Sequence, residues 1–198
     1  MIDERKNYLI HPQLIALFIL LMGVSALFIG FSFSYLYSRV QSGLPPLALP
    51  PLFILNTLIL LASSYTLVRS MSHYKADRTE SYKRCLGLTL LLTVLFLVSQ
   101  ILAWNQLYEQ GIFVNHSNMA SYLYLISAVH FGHVIVGIPF LALFYYNAIK
   151  KMVEPVSVLV YFSDPDKKRK LKMLTIYWHF LDGLWIYLVL FFLLNLLI

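Results

Sequence analysis

The sequence predicts an all-α, polytopic membrane protein: one bundle of five transmembrane helices over residues 1–198, with the N-terminus inside and the C-terminus outside. Three observations predict it. Of the 198 residues 60% are hydrophobic and 12% charged, too few polar groups to cover a water-soluble globule of ordinary composition. The apolar residues fall in continuous blocks of 17 residues or more, longer than a core strand or the apolar stripe of a soluble helix. The basic residues sit almost entirely in alternate connections between the blocks, as in a chain that crosses a membrane repeatedly.

The first block, residues 14–38, is too long for the apolar core of a signal peptide, and no small-x-small cleavage pattern follows it, so it is expected to be retained as a span. Pro45, Pro46, Pro50 and Pro51 fix their own backbone angles and disfavour helix in the residue before, which predicts an extended, ordered connection to the second block. That block, residues 52–68, is the shortest; at 1.5 Å per residue it barely crosses a hydrocarbon core of about 30 Å. The third block is 85–108. The fourth, 120–147, is long enough to tilt or protrude, and Pro139 within it removes a backbone hydrogen bond and shapes the helix a turn from His133. Glu154-Pro155 and Asp164-Pro165-Asp166 bracket an apolar segment, 156–162, expected at the membrane interface, and the fifth block is 174–198. Lipid offers the backbone no hydrogen-bond partners, and the alternation of a barrel strand is absent, so all five blocks read as helices. Trp104, Tyr108, Tyr145 and Tyr146 lie near span ends, where aromatic side chains favour the interface.

Orientation follows from the fifteen Lys and Arg residues. Arg5 and Lys6 precede the first span; Arg69, Lys75, Arg78, Lys83 and Arg84 lie between the second and third; Lys150, Lys151, Lys167, Lys168, Arg169, Lys170 and Lys172 lie between the fourth and fifth. Arg39 alone falls on the other side, so the positive-inside rule places the N-terminus in the cytoplasm and requires an odd number of crossings. A net charge of +6 is accounted for by this topology and by attraction to anionic headgroups, without nucleic acid.

The chemistry available is narrow. One cysteine, Cys85, excludes an internal disulfide and a multi-cysteine metal site. Phosphate loop, nucleophile elbow and paired carboxylates are absent, and there is no internal repeat of the transporter type. Of nine acidic residues only Asp182 lies well inside a span, and a carboxylate there normally faces protein, pairs with a donor or is held protonated. His179 and Trp185, three residues to either side, share its helix face, and His130 and His133 have the same spacing on the fourth span. The expected arrangement is a polar clasp in which these two faces meet and satisfy every polar group. A bis-histidine haem site needs ligands from different helices, such as His133 with His179, whose depths match imperfectly; a di-iron site needs more carboxylates than are present.

The same residues carry a family resemblance. Tyr177-Trp178-His179-Phe180-Leu181-Asp182-Gly183-Leu184-Trp185 resembles the last-helix signature of haem-copper oxidase subunit III, which reads Trp-His-Phe-x-Asp-x-x-Trp. His130-Phe131-Gly132-His133-Val134-Ile135-Val136-Gly137 resembles that family's His-Gly-x-His-Val-x-x-Gly in the preceding helix. Leu55-Asn56-Thr57, Leu60-Leu61-Ala62-Ser63-Ser64 and Gln100 extend the similarity over most of the chain, which resembles the five-helix bacterial form.

The resemblance implies a subunit of a respiratory terminal oxidase, of cytochrome c oxidase type, in a bacterial plasma membrane. Such a subunit has no redox centre of its own, packs against and stabilises the catalytic subunit I, and holds phospholipid between its helices. Haem and copper are then expected in partner subunits I and II, within a larger respiratory assembly at most, and this chain contributes no catalytic, cofactor or metal residue. Its site residues are a structural polar seam offering lipid or subunit contacts: Asn56, Gln100, His130, His133, Trp178, His179, Asp182 and Trp185. The family's frequent glutamate in the helix equivalent to the first span has no counterpart, since no Asp or Glu occurs between Glu4 and Asp77. A related accessory subunit of a quinol oxidase or nitric oxide reductase, and an independent membrane enzyme or transporter, are the alternative readings.

Overall fold

The computed structural model describes residues 11–43, 47 and 49–197. Six helices follow one another: α1 (Pro12–Ser42), α2 (Leu52–Lys75), α3 (Thr79–Glu109), α4 (Asn118–Lys151), α5 (Pro155–Ser163) and α6 (Pro165–Leu197). Five of them, all but α5, are long and apolar enough to cross a membrane; the fold is all-helical among the described residues. Pro45 and Pro46 of the first connection lie outside those residues. Pro51 adopts helical angles (φ −56°, ψ −26°) at the start of α2 rather than continuing an extended strand.

The helices run beyond the apolar blocks because polar residues and caps, not hydropathy, set their ends. At the N-terminus of α1 the His11 ring accepts a hydrogen bond from the Gln13 N–H, and Pro12 occupies the first turn, where a missing N–H costs nothing. Gly43 closes that helix in the left-handed region (φ 59°), donating to the Arg39 carbonyl. The turn between α2 and α3 is equally tight: Asp77 takes φ 53°, and the Arg78 N–H returns to the His73 carbonyl. Ser117 caps α4 by accepting from the Ala120 N–H, while Lys150 and Lys151 stand at its C-terminal end, where cations oppose the helix dipole. The Asp164 carboxylate accepts from the N–H groups of Asp166 and Lys167 at 2.9 and 3.3 Å, capping α6 one residue ahead of Pro165. α4 continues through Pro139 without a break.

α2 and α3 form a close antiparallel hairpin, α3 leads onto α4, and α6 packs against both α2 and α4, with α1 laid across α4 and α6. In α6 44% of the most apolar stretch is buried and in α1 17%, so α6 is the central helix and α1 the peripheral one. Two apolar clusters fill the bundle. One, built around Phe28, Phe53, Phe96, Ile126 and Trp185, occupies the end carrying the α1–α2 and α3–α4 connections. The other, around Leu67, Tyr74, Tyr82, Leu141, Phe162 and Trp178, lies at the basic end and includes the inner face of α5. The outward faces carry large apolar side chains such as Phe18, Met22, Leu91 and Leu143, the surface a bilayer requires.

Candidate functional site

The site grows from a pattern on α2. Asn56, Ser63 and Ser70 recur every seven residues, two helical turns, and all three are fully buried. Thr57 and Ser64 repeat the same interval one residue on. Small polar residues on one face let neighbouring helices come close and give them hydrogen-bond partners where lipid gives none.

Toward α3, the Asn56 side-chain amide donates to the Gln100 Oε1 at 2.8 Å, and the Thr66 and Thr89 hydroxyls meet at 2.8 Å. Toward α6, both indoles of the Trp-His-Phe-x-Asp-x-x-Trp stretch are answered. Trp178 Nε1 donates to Ser63 Oγ at 3.3 Å and Trp185 Nε1 to Thr57 Oγ1 at 3.1 Å, while Ser64 Oγ lies 2.6 Å from His179 Nδ1. Trp185 is the aromatic hub: it stacks on Phe53 with centroids 5.4 Å apart, meets the edge of Phe96 at 5.2 Å, and lies 5.1 Å from the His130 ring.

Between α6 and α4 the contact is mostly one of shape. Gly137 admits the Trp178 ring so closely that a Cβ there would lie 2.8 Å from Trp178 Cζ3 and 3.1 Å from Tyr177 Cε1. The Tyr177 hydroxyl donates to the His133 carbonyl at 2.8 Å. The His133 ring turns back on its own helix, with Nδ1 2.7 Å from the Val129 carbonyl.

All eight seam residues are therefore drawn into one region, but their bonding differs from the expected clasp. The two helices do pack, yet His130 and His133 do not pair with His179 and Asp182. Both His130 nitrogens and both Asp182 carboxylate oxygens lack a hydrogen-bond partner among the described residues. Asp182 stands 4.0 Å from His179 Nδ1, an ion pair only when that ring is protonated. The reason lies in side-chain size. Ser63 and Ser64 leave room on α2 for an indole and an imidazole, whereas α4 offers α6 a glycine surface and a ring face. The serine pattern of α2 was the signal that would have identified α2 as the partner helix. A second polar link joins the opposite end of the bundle, where Arg39, the exception to the charge segregation, donates to Asn195 Oδ1 at 2.9 Å. Among the described residues no group of three or more His, Cys, Asp or Glu is arranged to hold a metal ion.

A family model described as cytochrome c oxidase subunit III matches residues 15–195, which takes in every helix of the bundle and the whole seam. The chain belongs to the cytochrome c oxidase subunit III family. Among its relatives, a cytochrome c oxidase subunit 3 of Synechocystis sp. is 28% identical over 187 residues, 90% of this chain and 74% of that protein. The cytochrome c oxidase subunit 3 of Bacillus sp. strain PS3 is 26% identical over 138 residues, 70% of this chain and 62% of its own. A probable quinol oxidase subunit 3 of Staphylococcus saprophyticus is 24% identical over 138 residues, with 70% and 64% covered. The alignments thus leave a quarter or more of these relatives' length unmatched. Membership makes this a multi-pass membrane protein of an oxidase-subunit family, and its relatives are named for both cytochrome c and quinol oxidases.

Proposed function

We propose that the chain is a non-redox subunit of a bacterial respiratory terminal oxidase, which stabilises the catalytic subunit I and holds phospholipid between its helices. The observation that carries this reading is where the polar side chains go. The indoles of Trp178 and Trp185, His179 Nδ1 and the Asn56–Gln100 pair are all taken up in helix-to-helix bonds. Groups so engaged fix the mutual rotation of α2, α3 and α6, and with it the outer surface presented to a neighbouring subunit. Those engaged groups are poorly disposed to bind haem or copper, which this reading assigns to partner chains. The proposed topology, N-terminus inside, is supported by the fold: the basic residues from Arg69 to Arg84 and from Lys150 to Lys172 gather at one end of the bundle.

The test is Asp182→Ala in the assembled oxidase. Asp182 lies at the α2–α6 crossing beside His179, and its removal disturbs packing rather than chemistry. The yield of intact complex is expected to fall while turnover per assembled complex stays the same. Normal assembly with a large loss of turnover would contradict this reading and assign Asp182 a proton-handling role.

A further inference from the structure

The basic end of the bundle holds a feature that the seam does not explain. α5 is short, yet it is firmly docked. Its Phe162 ring packs edge-on against Tyr74 at 5.1 Å and Tyr82 at 6.0 Å. The Tyr74 hydroxyl donates to the Tyr161 carbonyl at 3.0 Å, and Lys83 Nζ donates to the Met152 carbonyl at 3.0 Å. These bonds hold the opposite face outward. Val156, Leu159 and Val160 share one helical face and are 72%, 67% and 62% exposed, and Val153, just ahead of α5, is 75% exposed. An apolar stripe of that kind on a fixed interfacial helix belongs in a lipid boundary and not in water.

Beside the stripe, residues at the end of α4, on α5 and at the start of α6 line an open surface cleft of about 520 Å³. Its rim carries Lys150 and Lys151 from the end of α4 and Lys167 from the first turn of α6, against one acidic residue, Glu154. Two of these ammonium groups are held in place by aromatic faces, Lys167 4.4 Å from the Tyr161 ring centroid and Lys150 4.7 Å from that of Tyr146. Lys167 also pairs with Asp164 Oδ2 at 3.1 Å, which fixes its direction.

We infer that this cleft binds the headgroup of an anionic phospholipid, with the phosphate among Lys150, Lys151 and Lys167 and an acyl chain along Val156 and Val160. Charge and apolarity meet at one edge, at the level where α4 leaves and α6 enters the membrane, and an anionic amphiphile complements both at once. The inference rests on the reading of the chain as a lipid-holding subunit and assigns one lipid a place outside the transmembrane seam.

The test uses the tagged full chain, purified with whatever chains accompany it, after reconstitution in nanodiscs of mixed phosphatidylglycerol and phosphatidylcholine. Lipid retained on mild detergent extraction is read by mass spectrometry. Wild type is expected to retain phosphatidylglycerol preferentially. K150Q/K151Q/K167Q is expected to lose that preference by about a hundredfold, at roughly fivefold per lysine near a membrane surface. K168Q/K170Q/K172Q removes as many charges from exposed positions of α6 that do not line the cleft, and is expected to keep the preference. Equal losses in the two variants, an unchanged preference in the first, or complete displacement of phosphatidylglycerol by excess inorganic phosphate would each overturn the assignment. A wild-type preparation that brings oxidase chains with it yet shows no lipid preference refutes the cleft and leaves the subunit reading standing.

Discussion

Gly137→Ala offers a direct measure of how closely α4 and α6 are fitted. The added Cβ would stand 2.8 Å from Trp178 Cζ3, 3.1 Å from Tyr177 Cε1 and 3.4 Å from Trp178 Cη2. None of these atoms can retreat freely. Trp178 is 2% exposed and its Nε1 is held by Ser63, and Tyr177 is tied to the His133 carbonyl. Forcing an extra carbon into such a contact costs about 1–3 kcal/mol. Gly183→Ala on α6 is the internal control, because nothing lies within 4 Å of a Cβ there. Both substitutions gain about 0.8–1 kcal/mol of helix propensity, so the difference between them isolates the clash. Thermal unfolding of the purified chain in mild detergent, followed by tryptophan fluorescence, reads that difference. Gly183→Ala is expected to be neutral or stabilising and Gly137→Ala to melt below it by the equivalent of about 1–3 kcal/mol. Equal melting temperatures would refute the close α4–α6 fit. Because the strain involves the distal ring of Trp178, Trp178→Phe combined with Gly137→Ala is expected to cost less than the sum of the two.

Two further outcomes follow from the same geometry. Asn56→Leu or Gln100→Leu alone strands a buried partner at a cost of about 1–3 kcal/mol. The double replacement is expected to cost less than the two singles together, with a coupling of about 0.6 kcal/mol and at most about 1.7, checked by a double-mutant cycle in detergent unfolding. Burial favours the neutral form of Asp164, but the Lys167 ammonium and the N–H groups of Asp166 and Lys167 outweigh it and hold the carboxyl below its ordinary value of 3.8. A carboxyl whose folded value is depressed stabilises the cap above that ordinary value and loses the contribution as pH falls through the lower, folded one. Hydrogen-exchange protection of the Asp166 and Lys167 amides is therefore expected to drop below pH 3.8 in wild type and to show no such step in Asp164→Asn.

Much of this architecture was legible in the residues. The apolar blocks 14–38, 52–68, 85–108 and 120–147 and the described part of the fifth block each fall within a long helix, and the Glu154-Pro155 and Asp164-Pro165-Asp166 brackets mark the two ends of α5 and the start of α6. Hydropathy underestimated helix length. It registers the hydrocarbon and misses the turns beyond it, where Arg, Lys and Glu favour helix and a cap decides the end. α2 accordingly runs to Lys75 and α6 begins at Pro165.

The rotation of α6 about its own axis was not legible. Apolar residues surround it on all sides, and the polar spacing of His179, Asp182 and Trp185 defined a face that the matching histidine spacing assigned to α4, whereas its hydrogen bonds go to α2. Side-chain volume made that choice, through Ser63 and Ser64 on α2 and Gly137 on α4. The Arg39–Asn195 bond joins positions 156 residues apart, a pairing that no local pattern announces.

The proposed role is to support an oxidase without performing its redox chemistry. The most direct measurement is purification of the tagged chain in mild detergent, with mass spectrometry of the accompanying chains and a visible spectrum of the same fraction. Haem absorption is expected to follow the co-purifying oxidase subunits and to vanish when they are stripped away. An isolated chain that itself retains haem would contradict the claim.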